Sequence, residues 1–127
     1  MNRRGTLLCI IGILLLLSIC NIGNPRVIGG LSAKFTQAEI RAAEGCVLKQ
    51  FESFTGCYMQ KLWYNENISN AEYGNDNTNG MVLLSNFYVG ASAGGAFEPN
   101  SSYRYWKWFL VREGESGEWV IKGWGYA

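Results

Sequence analysis

The chain carries one sustained helical period, so a single helix must cover whatever sheet the remaining apolar residues build. That period opens at "FTQAEI" (35–40). Thr36 is an N-cap candidate, Glu39 three residues on completes a capping box, and Phe35 and Ile40 are placed to staple the entry. Ile40, Ala43, Val47, Phe51 and Phe54 then recur at helical spacing and form one apolar stripe. Glu39, Arg41, Glu44, Lys49 and Glu52 are expected on the rest of the surface, and Gly56 is a natural stop.

Beyond the stop the period changes. "CYMQKLWYN" (57–65), "MVLLSNFYV" (81–89), "YRYWKWFLVRE" (103–113) and "EWVIKGWGY" (118–126) are short, β-forming runs. A polar loop ending in Asn79-Gly80, a flexible "GASAGGAFEPNSS" segment and a "GESG" turn separate them. One helix followed by four strands predicts an α+β fold: an antiparallel sheet curled over an N-terminal amphipathic helix, across residues 35–127.

Strand alternation divides the aromatic run into two rows. Arg104, Trp106, Trp108, Leu110 and Arg112 form one, apolar at its centre. Tyr103, Tyr105, Lys107, Phe109 and Val111 form the other, with a lysine in mid-row. Burying an unpaired lysine is costly, so the first row is expected to face the helix. In the last strand the same reasoning puts Trp119 and Ile121 inside and Val120, Lys122 and Trp124 outside. Tyr105, Lys107, Phe109, Lys122 and Trp124, with Tyr88 nearby, are therefore the candidate binding residues, an apolar patch flanked by two lysines.

The first twenty residues differ from the rest. A basic start with Arg3 and Arg4 precedes a nearly unbroken apolar run, Leu7 to Cys20. Fourteen helical residues rise only about 21 Å, short of a ~30 Å hydrocarbon core, which is the pattern of an export signal. An uncleaved anchor with both arginines inside is a second reading. Leu17-Ser18-Ile19-Cys20 offers a third, because it resembles a bacterial lipobox in which Cys20 becomes lipidated; Ile19 departs from the small residue usual there. Residues 21–34, with Pro25 and Gly29-Gly30, read as a tether.

Without Arg3 and Arg4, nine basic residues face ten acidic ones, and no cationic cluster remains for nucleic acid. There is no histidine, which removes the usual proton shuttle and the commonest zinc ligand. Asn75, Asn77, Asn79 and Gly80 imitate a calcium loop, but the twelfth position would be Asn86 and not a bidentate glutamate, so no metal or cofactor is expected. Cys46 and Cys57 are expected as unpaired apolar fillers. The acids beside apolar neighbours, Glu98 and Glu72, both lie in expected loops, which argues against an acid/base catalyst.

The order of "FTQAEI", "FESFTGCYMQKLWYNE", "SNFYVG", "YWKWFLVR" and "WVIKGWGY" resembles a family of small exported proteins and lipoproteins of Gram-positive, clostridia-like bacteria. That family is a domain of unknown function related to NTF2-like and cystatin-like folds. The resemblance covers residues 35–127 and implies a cone-shaped α+β domain, some of whose wider relatives are isomerases or dehydratases while many only bind or dimerise. One main helix stands here where three are usual, which leaves less wall for a deep pocket. The leading expectation is a non-catalytic, membrane-tethered module on the extracytoplasmic face, or secreted, with an envelope protein or cell-wall component as partner. The alternatives are a small pocket protein or enzyme using Glu98 or Glu72 as base with a tyrosine donor, and a structural homodimer.

Overall fold

In a computed structural model, residues 24–93, 95–113 and 117–126 are described. The elements run β1 (Arg26–Ile28), α1 (Gln37–Phe51), β2 (Cys57–Tyr64), α2 (Glu66–Tyr73), β3 (Gly80–Val89), β4 (Ser101–Glu113) and β5 (Glu118–Gly125). The architecture is α+β, with a five-stranded mixed sheet in which spatial order follows sequence order. The four-stranded antiparallel sheet and lone helix of the sequence reading are thereby corrected. β1 lies parallel to β2, Arg26 opposite Lys61 and Ile28 opposite Trp63, whereas β2 to β5 form an antiparallel meander. A parallel pair needs a crossover, and α1 supplies it. Residues 26–28, expected within a tether, are thus part of the sheet; residues 1–23, including Cys20, lie outside the described residues.

The helix start follows the capping-box reading. Thr36 Oγ1 accepts from the Glu39 amide at 3.1 Å, and the Thr36 amide donates to Glu39 Oε1 at 2.8 Å. The stripe Ile40, Ala43, Val47 and Phe51 is buried against the sheet. Glu44 is buried with it, only 1% exposed, which corrects its expected place on the wetted surface. It stands four residues after Ile40 and three before Val47, inside the stripe by geometry.

Opposite α1, Trp108 is fully buried and its Nε1–H donates to Ser85 Oγ at 2.8 Å. Trp106, Leu110 and Trp119 are buried on the same side, as the row analysis expects. Burying side chains of this size contributes about 1.5–3 kcal/mol each. Arg112 closes that row: its guanidinium lies over the Trp119 ring at 4.6 Å and donates to the Glu39 carboxylate and the Thr78 carbonyl. The helix start, the 75–79 loop and β4 are thus fastened by one side chain.

The loop expected at 65–80 contains α2. Asn65 caps it, accepting from the Ile68 amide at 3.1 Å, and Gly74 ends it. β2 leaves β3 at the Tyr64–Leu83 pair, and the next free amide of β3, Val82 N–H, donates to Ser69 Oγ at 3.1 Å. α2 therefore takes over the edge that β2 abandons. Its first residue, Glu66, accepts from Ser32 Oγ and the Ala33 amide, both at 2.6 Å, and from the Tyr64 hydroxyl. Burial, reinforced by that bond to Glu66, pushes the Tyr64 phenol up to about 12.

Three register shifts bend the sheet. One on β2 at Gln60 and one on β4 at Arg104–Tyr105 both fall beside Asn86 of β3; the third, on β5, is at Lys122. Each extra residue restarts the inside–outside alternation. Three sequence assignments are corrected for this reason, the first being Arg104, which was expected in the row facing the helix and is exposed at the bulge. Tyr103 was expected on the outer row, yet it stacks on the core ring of Phe87 at 5.1 Å, with 4° between planes. Trp124 was expected outside, yet it packs at 5.4 Å from Phe54 and 5.6 Å from Trp108, on the helix side.

Candidate functional site

Among the described residues, α1 covers one face of the sheet and no helix packs on the central part of the other. Lys61 and Trp63 of β2, Val82 and Leu84 of β3, and Tyr105, Lys107 and Phe109 of β4 share that outer face by strand parity. Val82 and Leu84 are buried there even so, flanked in register by Trp63, Lys107 and Phe109, so the face has a small apolar centre. Lys61 Nζ lies 4.3 Å over the Trp63 ring, and Trp63 meets Tyr105 edge-to-face at 5.9 Å.

Tyr105 is the exceptional residue of this face. It is 62% exposed and has φ +58, a left-handed conformation in which the β-carbon crowds the following carbonyl. Its amide donates to Asn86 Oδ1 at 3.0 Å, which secures the bulge. Because Tyr103 and Trp106 both turn inward, Arg104 and Tyr105 share the outward side. Arg104, Lys61 and Lys107 are thus the basic residues that sequence and register place nearest Tyr105 on this face. The acids of this face, Glu113 and Glu118, stand at the far end of β4 and β5, where Glu113 pairs with Lys122 at 2.8 Å.

Of the expected binding residues, the structure brings Tyr105, Lys107 and Phe109 together. Lys122 is exposed but engaged by Glu113, and Trp124 belongs to the opposite side. Tyr88 lies near the other end of β3, its hydroxyl donating to Asn100 Oδ1 at 3.5 Å. Sequence reading missed Lys61, Trp63 and Arg104. The Lys61–Trp63 spacing of two was a usable signal, since such residues share a strand face. Arg104 was hidden by the bulge.

The acid candidates are not enclosed. Glu72, on α2 and not in a loop, and Glu98 are both exposed, so neither has the apolar walls that a base of this kind requires. Burial pushes the Cys46 and Cys57 thiols up, and both are free, which makes each a poor nucleophile. The buried acid is Glu44. Both its oxygens lack a hydrogen-bond partner among the described residues, and burial raises it to about 7 despite Arg41 one turn away. It does not line the cleft at Arg112 and Trp119, the one at Phe97 and Trp124, or the one at Lys49 and Ile121. No group of histidine, cysteine or carboxylate side chains suited to a metal occurs among the described residues, and no described helix is long and apolar enough to cross a membrane. Asn77 Oδ1 instead accepts from the Asn79 amide at 2.7 Å, an Asx-type turn within the calcium-like stretch. Comparison with protein-family models, curated proteins and solved structures returned no match, so the geometry of the two sheet faces is what bears on function.

Proposed function

We propose that this chain is a non-catalytic module of the cell envelope, exported and tethered through its N-terminal segment, which binds an anionic cell-wall component through the outer sheet face. One observation carries the reading: a bulky, solvent-facing aromatic, Tyr105, is held in a left-handed backbone conformation. Such a residue costs on the order of 1–3 kcal/mol, and strain of this kind is concentrated at functional surfaces. Its surroundings suit an anion: Arg104, Lys61 and Lys107 are the basic residues nearest it by sequence and register, with the acids of that face held at its far end. The basic start, the apolar run to Cys20 and the resemblance to small exported proteins and lipoproteins with NTF2-like, cystatin-like folds support the address.

The test pairs stability with binding. Tyr105→Gly relieves the strain and removes the ring. It should raise unfolding free energy by about 1 kcal/mol while abolishing co-sedimentation with Gram-positive cell-wall sacculi that retain their anionic polymers. Wild-type protein should bind those sacculi and release them when the polymers are stripped. Equal sedimentation of wild type and variant, or binding indifferent to the polymers, would remove the outer face as the site.

A further inference from the structure

The helix side of the sheet carries a second feature, separate from the outer face. Residues 53–55 after α1, Ser92 with residues 95–97, and the end of β5 border an open groove of about 690 Å³. Its walls are Phe54, Phe97 and Trp124, and its rim bears Ser53, Thr55 and Ser92. Phe54 and Phe97 lean together at 5.2 Å, and Trp124 sits on Phe54 yet stays 43% exposed. An indole with one side packed and so much surface wet is a platform and not a filler.

Three properties narrow the occupant. None of the lining residues is charged, so an ionic ligand would enter without a counter-charge. Among the described residues the hydroxyls of Thr55 and Ser92 have no internal partner, whereas Ser53 Oγ already donates to the Gln50 carbonyl at 2.7 Å. Flat rings offer negative faces to polarised C–H groups, and the open hydroxyls exchange hydrogen bonds along the edge. A molecule with an apolar C–H face, polar edges and no charge matches all three. Behind Phe97, at 5.9 Å, the same cluster holds Trp106, whose buried Nε1–H has no acceptor among the described residues.

We propose that this groove binds a neutral sugar ring, stacked on Trp124 and hydrogen-bonded from Ser92 and Thr55. The site is independent of the outer face, and the two can fail separately. The experiment is calorimetric titration of the full chain in detergent with the neutral trimer of N-acetylglucosamine, with tryptophan fluorescence as a second readout. The cationic glucosamine trimer and an apolar tripeptide serve as competitors. Saturable binding of the neutral trimer alone is expected. Trp124→Ala should weaken it about tenfold. Ser92→Tyr, which fills the groove from an exposed loop position, should abolish it without changing the thermal melt, so the test survives if Trp124→Ala unfolds. Tyr105→Gly should leave it intact. Absence of saturable binding by the neutral trimer, equal or tighter binding of either competitor, or full binding by Ser92→Tyr would overturn the proposal.

Discussion

Replacing Glu44 by glutamine isolates the cost of one buried charge. The carboxyl is 1% exposed, without hydrogen-bond partners among the described residues, and raised from 4.5 to about 7, chiefly by desolvation. The sign follows from proton counting. Between 4.5 and about 7 the folded chain keeps a proton that the unfolded chain has released, so stability falls as pH rises through that window and levels off above it. A difference of about 2.5 pH units at 1.36 kcal/mol each gives roughly 3 kcal/mol, a large share of the roughly 5–15 kcal/mol that holds a domain folded. Glutamine has nearly the shape of the protonated acid, with an NH2 in place of the OH, and it cannot ionise. Glu44→Gln should therefore match wild type near pH 4.5 and exceed it by about 3 kcal/mol near pH 8, a rise in Tm of roughly 10 °C or more. Urea unfolding followed by tryptophan fluorescence across that range measures both curves. Parallel curves with a constant offset, or a wild type that gains stability between pH 5 and 8, would refute the reasoning.

On the acid side the order reverses. Glu39 is held below the ordinary range, first by the Thr36 amide, and Glu66 is lowered because Ser32, Tyr64 and the Ala33 amide outweigh its burial; stability from both is lost as pH falls below 4.5. In Glu44→Gln, unfolding should therefore show only this acid limb. Arg112→Lys should cost about 1–2 kcal/mol in denaturant, because a lysine cannot reproduce the stacking on Trp119 together with the donors to Glu39 and Thr78. Trp106→Phe should cost less than Trp108→Phe by about 1 kcal/mol. Only Trp108 gives up a hydrogen bond, to Ser85, and leaves that buried hydroxyl short of a donor.

What was legible in the sequence was local. The Thr36–Glu39 box names its own geometry within four residues, and the rows through Trp106, Trp108 and Leu110 follow from two-residue alternation. β1 was illegible because three residues carry no period, and its pairing with β2 exists only once α1 has crossed over. α2 was hidden by asparagines, although Asn65 before Glu66 and Gly74 after Tyr73 marked both ends. Glu44 was misplaced because its charge was allowed to outweigh its position between Ile40 and Val47. Trp124 and Tyr103 were misplaced because bulges leave no local sign, and with them went part of the expected patch and all of the groove.

Lys122 is a single inserted residue that decides on which side of the molecule the next indole emerges. Ironing out that bulge, with Lys122 drawn into the ladder, would restore strict alternation and carry Trp124 across the sheet, emptying the groove and enlarging the opposite surface in one step. Deleting Lys122 would instead leave Ile121, Gly123 and Trp124 on their present sides. Aromatic content can thus be reapportioned between the two faces by the gain or loss of a bulge, with no change in what the side chains are. Within a lineage, such shifts of register would be a short route from one binding preference to another.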